Sequence, residues 1–226
     1  MLREAGGVNR SLRKAEVRGW GFRLPILSGS RHDFATMAET CLVKPDFAHL
    51  PSYRAALASG WSPDNVRAEV AAEHLARIEQ DAAGFLAALD DPEARGGPIR
   101  APDGTMLQRL PGFVRWIWDG EFCGSIGLRW QPGTSELPAY VLGHIGYSVV
   151  PWKRRQGHAT RALRQLLPMA RAQGLDYVTL TTDPENLVSQ RVILACGGQL
   201  LGRYRKPEIY GGAEGLRYRI ELAGLP

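Results

Sequence analysis

Residues 147–160 read YSVVPWKRRQGHAT. The β-branched, apolar run that ends at Pro151 predicts a buried strand, and the apolar positions after Gly157 recur at helical spacing. A basic turn, Lys153-Arg154-Arg155, joins the two. Free backbone N–H groups and the positive end of the dipole at a helix start attract anions, and a glycine lets a ligand approach the backbone. The segment therefore predicts a phosphate-binding turn, although a solvated surface turn remains an alternative.

The flanking sequence predicts an α/β fold. Ser62-Pro63 is a strong helix-start pattern and predicts the start of a second helix. Gly84 would interrupt this helix near its end. Asp119-Gly120 lies between two β-rich runs, which is typical of an antiparallel hairpin. Strands separated by helices indicate partly parallel pairing. We therefore expect a central mixed, mostly antiparallel sheet flanked by helices. The predicted elements are strand 40–43, helix 47–58, helix 62–89, loop 90–111, strands 113–118, 122–130 and 140–150, helix 157–173, strand 177–182, helix 186–196, and strands 199–205 and 216–222.

The positive charge of the chain is concentrated at its start. The 226 residues carry 28 Lys and Arg against 23 Asp and Glu, a net charge of +5, and residues 1–36 alone hold seven basic and three acidic residues, or +4. We expect residues 1–36 to be a basic, poorly ordered extension and residues 37–226 to form one domain. A nucleic-acid binder carries its charge on the folded body, so we expect no nucleic-acid partner. A tether to nucleic acid through residues 1–36 remains an alternative.

Several other classes of protein lack support in the sequence. No apolar run is long enough to cross a membrane. The three cysteines are far apart and outside any CxxC pair, which is typical of reduced thiols in the cytoplasm. Neither GxxxxGK[ST], GxGxxG after a strand, HExxH nor GxSxG is present. We therefore expect a cytoplasmic protein that binds no metal and does not contact the membrane.

The run RRQGHA at residues 154–159 resembles the (Q/R)-x-x-G-x-(G/A) loop of the GNAT superfamily of acyl-CoA-dependent N-acyltransferases. Residues 181–189, TTDPENLVS, followed by Gly197-Gly198, resemble the strand, Asn-x-x-Ser helix and glycine segment of the same family. The predicted element order from Thr40 to Leu222 also matches. The resemblance implies a GNAT-like fold, acetyl-CoA as donor, and direct transfer of the acetyl group to an amine of a small molecule or protein.

The resemblance also implies which residues bind the donor. The backbone of Tyr147, Ser148 and Val149 would pair with the pantetheine arm. Asn186 occupies the position that usually contacts this arm, with Ser189 as its helical neighbour, and Asn186 can equally serve as a plain helix cap. The pyrophosphate would be held by the loop residues Arg154, Arg155, Gln156, Gly157, His158, Ala159 and Thr160.

The catalytic groups depart from the family pattern. Many members place a Tyr seven residues after the Asn and a Glu about five residues before it, whereas this chain has Ile193 and Thr181 there. As substitutes we consider His144 or Glu121 as general base, and Tyr204 or Tyr210 as general acid. His144 in the core and Glu121 as a solvated turn residue are the simpler roles.

The lack of the usual catalytic Tyr and Glu leaves two functions open. One is an N-acetyltransferase, and the other is a non-catalytic domain that binds or senses acyl-CoA. The sequence does not identify the acceptor, and a homodimer is compatible with it.

Overall fold

Two larger antiparallel sheets, a two-stranded hairpin and four α-helices make up the computed structural model, which describes residues 39–64 and 67–224. The predicted basic extension, residues 1–36, lies outside the described residues. In chain order the elements are β1 (Cys41–Val43), α1 (Leu50–Ala58), α2 (Val70–Ala88), β2 (Asp90–Asp91), β3 (Ile99–Arg100), β4 (Met106–Leu107), β5 (Gly112–Trp118), β6 (Phe122–Arg129), β7 (Ile145–Val149), α3 (His158–Ala172), β8 (Tyr177–Thr182), α4 (Leu187–Ala195), β9 (Gln199–Arg205) and β10 (Glu214–Glu221).

The first sheet has the order β1-β5-β6-β7, with β2 also paired to β5, and the second has the order β8-β10-β9. The hairpin predicted around Asp119-Gly120 is the β5–β6 pair. The predicted fold class, an α/β fold with a mostly antiparallel sheet flanked by helices, is confirmed. Within residues 39–64 and 67–224, no helix is long and apolar enough to cross a membrane.

The partly parallel pairing that we expected does not form a ladder in the described part of the chain, where every strand pair is antiparallel. Strands β7 and β8 belong to different sheets and meet just before β7. There the His144 N–H donates to Thr179 O at 2.7 Å. Gly143 permits this approach, because a Cβ at that position would lie 2.9 Å from Thr179 O. The two strands therefore touch at one point and leave a gap beyond it.

Helix α3 packs against the first sheet and shares one hydrophobic core with residues of both sheets. Its buried face contributes Leu163 and Leu166, which pack with Ile126 of the first sheet and with Val178 and Tyr218 of the second. This apolar stripe recurs at helical spacing, so the amphipathic pattern of the sequence fixes which side of α3 is buried. The start of α3 is thereby held next to the end of β7.

Helices α1 and α2 cover the other face of the first sheet through an aromatic cluster. The ring of Tyr53 stacks on that of Trp116 with centroids 4.6 Å apart, and Phe122 packs edge-on at 5.1 Å. Trp61 Nε1 donates to Ser148 Oγ at 3.1 Å, which ties this layer to β7. Such aromatic pairs stabilise a core beyond the area they bury.

Helix α2 starts later than the predicted residue 62, and its helical backbone is interrupted at a different residue from the predicted Gly84. The Ser62 hydroxyl accepts from Asp64 N–H and donates to Arg67 O, so this residue builds a turn, and the helix begins only at Val70. The break lies at Asp81, whose backbone is extended and whose carboxylate accepts the Gly84 N–H at 2.9 Å. A Cβ on Gly84 would lie 2.1 Å from that carboxylate. The glycine is therefore needed to admit this internal cap, which sequence patterns do not specify.

The predicted loop 90–111 is also more structured than expected. It contains β2, which extends the first sheet, and the two-residue strands β3 and β4, which pair with each other. Pairs this short depend on tertiary support, and their sequence carries mainly turn residues. The loop therefore leads the chain from α2 back to the sheet through a small hairpin.

Candidate functional site

The predicted order of strand, basic turn and helix is confirmed, although the strand covers only Ile145–Val149 of the predicted 140–150. A 3-10 turn, Pro151–Lys153, follows β7, and Gly157 is the residue before α3. Gly157 has φ of +80°, and a Cβ there would lie 2.8 Å from Arg161 Nη1. The first bond of α3 runs from Arg161 N–H to Gly157 O. The N–H groups of the three residues between them therefore have no acceptor within the helix, and they sit at the positive end of its dipole.

The basic residues of the loop divide into two roles. Arg154 and Arg155 are exposed, and the Nε of Arg154 donates to Val149 O at 3.1 Å. Lys153 instead turns inward, where its ammonium lies 3.1 Å from both carboxylate oxygens of Asp119 and 3.4 Å from Glu121. Exposed guanidinium groups are suited to pair with phosphate. Two of the three basic residues therefore lie on the surface of the loop, and the third anchors the loop to the β5–β6 turn.

Among the predicted cofactor residues, His158 points away from the loop. Its Nδ1 lies 2.9 Å from Thr40 Oγ1, its Nε2 lies 3.5 Å from Asp119, and burial lowers its pKa. The possible ligand atoms of Asp119, Cys123 and His158 lie within 4.8 Å of one another. The Lys153 ammonium already neutralises Asp119. The absence of a metal stays a prediction, and His158 offers the loop only its backbone.

The register of β7 decides where its backbone groups point. Arg129 N–H donates to His144 O, and Val150 N–H donates to Cys123 O. In an antiparallel pair, alternate residues face the partner strand. Tyr147 and Val149 therefore direct their backbone groups toward the gap beside β8, whereas Ser148 directs its groups toward β6.

Asn186 caps α4, because its Oδ1 accepts the Ser189 N–H at 3.0 Å. The Ser189 hydroxyl in turn lies 2.8 Å from the Tyr147 hydroxyl, so α4 and β7 are bridged by a hydroxyl pair. Ile193, at the position of the usual tyrosine, is 1 % exposed, and its side chain occupies the space beside Gly198. The sequence did not indicate the hydroxyl of Tyr147 as a functional group, since only its backbone matched the family pattern.

The three proposed catalytic side chains are not brought together. His144 is fully buried at the junction of the sheets, and its Nδ1 accepts the Thr179 N–H at 2.9 Å. Glu121 is exposed and lies at the opposite end of β6, beside the loop. Tyr204 lies on β9 in the second sheet, where its buried hydroxyl has no partner among the described residues.

Burial, reinforced by the positive charge of Arg129, lowers the pKa of His144 to about 4. At neutral pH the ring is therefore uncharged. In the unfolded chain the His144 ring takes up a proton near pH 6.5, whereas in the folded chain it stays neutral at that pH. We expect the unfolding free energy to fall by about 1–2 kcal/mol more in the wild type than in His144→Asn between pH 7 and pH 5. Urea denaturation at both pH values measures this, and equal losses would contradict it.

A cleft of about 240 Å³ opens where β5 begins and β6 ends, on the strand next to β7. Its apolar walls include Leu89, Phe113 and Val114. Its polar lining comprises Asp91, Gln108, Arg109, Arg129, Tyr140 and Tyr210. Concave apolar sites with a few polar groups commonly bind small ligands, so this cleft is the candidate site for the acceptor.

Comparison with known proteins agrees with this geometry. Residues 74–199 match the family model described as "Acetyltransferase (GNAT) domain". The fold is similar to that of RimJ from Mycobacterium smegmatis in complex with CoA-disulfide, with 20 % identity over 83 % of this chain and 84 % of that one and a TM-score of 0.56. It is also similar to that of the microcin C7 self-immunity acetyltransferase MccE in complex with acetyl-CoA and AMP, with 15 % identity over 81 % and 92 % of the two chains and a TM-score of 0.53.

No curated protein matches the chain by sequence. The structural similarities, at this low identity, concern the fold. The family model is the stronger finding, because it spans more than half of the 226 residues. The chain therefore belongs to the GNAT family of acetyltransferases and is an acetyl-CoA-dependent N-acetyltransferase.

Proposed function

We propose that this enzyme transfers the acetyl group of acetyl-CoA directly to a primary amine of a small molecule or a protein. The observation that supports this most is the gap between β7 and β8, which has the start of α3 at one end and the acceptor cleft beside its other end. When bound, acetyl-CoA supplies the activated thioester. The exposed Arg154 and Arg155 and the N–H groups that follow Gly157 fit its pyrophosphate.

The pantetheine arm would lie along β7 in the manner of an added strand. Tyr147 and Val149 direct their backbone groups to the gap, as the register requires, and the Val149 carbonyl there also accepts from Arg154 Nε. Asn186 uses its side-chain oxygen to cap α4, so its amide nitrogen is the group that we assign to the arm. Ser148 supports β7 from the other face through Trp61.

Tyr147 replaces the tyrosine that the family usually carries on α4. Burial raises the pKa of its phenol to about 12, so the hydroxyl is protonated at neutral pH. The Ser189 hydroxyl, 2.8 Å away, holds it at the gap. We assign to this phenol the proton that the departing thiolate takes up.

The structure favours a structural role for His144 instead of the general-base role considered from the sequence. Its Nδ1 already accepts a backbone N–H, and its low pKa makes it a weak proton acceptor. We propose that His144 joins the two sheets at the point where the gap begins. The attacking amine would then lose its proton to water in the cleft. Glu121 pairs with Lys153 and supports the loop.

Turnover tests this proposal. Purified enzyme with acetyl-CoA is mixed with a panel of primary amines, including amino acids, polyamines and short peptides, and free CoA thiol is followed by a colorimetric reagent. We expect thiol release only when a suitable amine is present, together with a mass gain of one acetyl group on that amine. Tight acetyl-CoA binding without release across the panel would favour the acyl-CoA-sensing alternative.

We also propose that the enzyme works in the cytoplasm without a nucleic-acid partner. Its three cysteines, Cys41, Cys123 and Cys196, are all free thiols, which is typical of a reducing compartment. A homodimer stays a further possibility that light scattering of the full chain resolves.

A further inference from the structure

Arg129 is placed at the meeting point of the acceptor cleft and the donor strand. It is the last residue of β6, and its N–H donates to His144 O at 2.9 Å. Its Nη2 lies 3.1 Å from the position that a Cβ on Gly146 would occupy, so the guanidinium rests directly on β7. Gly146 precedes Tyr147 in β7, and successive residues of a strand face opposite sides of the sheet. Arg129 therefore lies on the α1–α2 side of β7 and the Tyr147 hydroxyl on the α4 side, so an acceptor held by Arg129 would approach β7 from the α1–α2 side.

Arg129 forms no salt bridge and no side-chain hydrogen bond with the described residues, although part of the residue is open to solvent in the cleft. Burial of its guanidinium lowers the pKa of Arg129, and the nearby Tyr210 and Asp64 act in the opposite direction. The second arginine of the cleft behaves differently, because Arg109 donates to the carbonyls of Gly96 and Gly97 and lies 3.9 Å from Asp91. An arginine presents five donors in a rigid fork that matches a carboxylate or a phosphate.

The charge of the cleft favours an anion. Its lining holds Arg109 and Arg129 against one carboxylate, that of Asp91, and this carboxylate accepts the N–H groups of Arg95 and Gly96. Within the lining one positive charge is therefore left over, that of the arginine next to β7, and the carboxylate of Asp64 outside the lining also acts on it. A cationic acceptor such as a polyamine would meet this charge unfavourably.

We propose that the acceptor carries an anionic oxygen group, a carboxylate or a phosphate, a few bonds from its amine, and that Arg129 binds this group. The inference rests on the function proposed above and names its substrate class. In the reaction the amine nitrogen forms a bond to the acetyl carbon and the carbon–sulfur bond breaks. The amine loses a proton to water, the thiolate takes one from Tyr147, and Tyr147 regains its proton from water. Arg129 stays charged and only positions the acceptor.

Matched amines that differ only in the anionic group test the assignment. Glycine is compared with glycinamide, β-alanine with its amide, and phosphoethanolamine with ethanolamine, each at saturating acetyl-CoA. We expect the wild type to favour the anionic member of each pair by about 10–100-fold in kcat/KM, because a charge-assisted hydrogen bond contributes binding free energy of this size. The carboxylate and phosphate pairs separately show which of the two anions is preferred.

Arg129→Met should remove this preference mainly by raising the KM for the anionic amine, with acetyl-CoA binding unchanged, and Arg129→Lys should keep part of it. Arg109→Met is the matched control, and we expect it to affect both members of a pair alike. Equal rates for charged and neutral amines in the wild type, or an unchanged ratio in Arg129→Met, would overturn the assignment.

A second readout does not depend on turnover. The CoA-bound wild type should be stabilised against heating by N-acetylglycine more than by N-acetylglycinamide, and Arg129→Met should lose the difference. If N-acetylglycine stabilises the protein and no amine is acetylated, the proposed function fails while the recognition by Arg129 stands. Equal stabilisation by the two acetylated compounds would overturn the role of Arg129.

Discussion

Gly157→Trp weakens acetyl-CoA binding by at least about 100-fold, since two or more charge-assisted hydrogen bonds to the pyrophosphate are lost. Gly157 adopts φ of +80°, which side chains rarely tolerate. A Cβ would in addition lie 2.8 Å from Arg161 Nη1, and the indole would extend toward the N–H groups at the start of α3. Isothermal titration calorimetry with acetyl-CoA measures the effect directly.

Gly174→Trp is the matched control for this prediction. Gly174 lies beyond the other end of α3, has φ of +83°, and has no atom within 4 Å of a would-be Cβ. It therefore carries the same backbone strain and the same bulky side chain without approaching the loop. We expect its acetyl-CoA affinity to stay within about twofold of the wild type, well under the 1.4 kcal/mol that a tenfold change represents. Equal losses in the two variants would show that strain, rather than the loop, is responsible.

Tyr147→Phe lowers kcat by about 100-fold, the lower range of what a general acid contributes. The substitution removes the hydroxyl that lies 2.8 Å from Ser189 Oγ but keeps the ring. The backbone of β7 is unchanged, so the KM for acetyl-CoA should change little. Steady-state kinetics with an accepted amine provides both parameters.

Tyr204→Phe serves as the comparison, because Tyr204 is the acid that the sequence favoured. Its ring packs over Gly215 and beneath the guanidinium of Arg217, 4.3 Å from the ring centroid. We expect its kcat to equal that of the wild type. A large loss in Tyr204→Phe, with normal turnover in Tyr147→Phe, would reverse the two assignments.

Local patterns were sufficient for the parts of the fold that local chemistry controls. The turn of Asp119-Gly120 and the amphipathic spacing after Gly157 each specify their element within a few residues. The bounds of β8 and β9 agree with the predicted strands, 177–182 and 199–205. In β8, buried residues alternate with less buried ones, which is the pattern of a half-buried strand. The start of α2 was predicted wrongly, because Ser62 forms hydrogen bonds in a turn instead of capping a helix.

The features of the site that involve side chains depend on residues far apart in the sequence. The contact of Tyr147 with Ser189 joins a strand to a helix that follows another helix and strand. His158 turns inward because Thr40, at the start of the described chain, provides its partner. The position of Arg129 over Gly146 depends on the β6–β7 register. No local pattern specifies such pairings, so the sequence predicted the loop that we propose for the cofactor but not the side chains that we propose around the reacting atoms.

The most direct measurement is a crystal structure of the enzyme with CoA. We expect the pyrophosphate to accept hydrogen bonds from the N–H groups that follow Gly157, and the arm to lie in the gap beside β7. The thiol should then point to the hydroxyl of Tyr147, with Arg129 on the acceptor side. A CoA molecule whose pyrophosphate lies away from the start of α3, or whose thiol is remote from Tyr147, would contradict the proposed donor site.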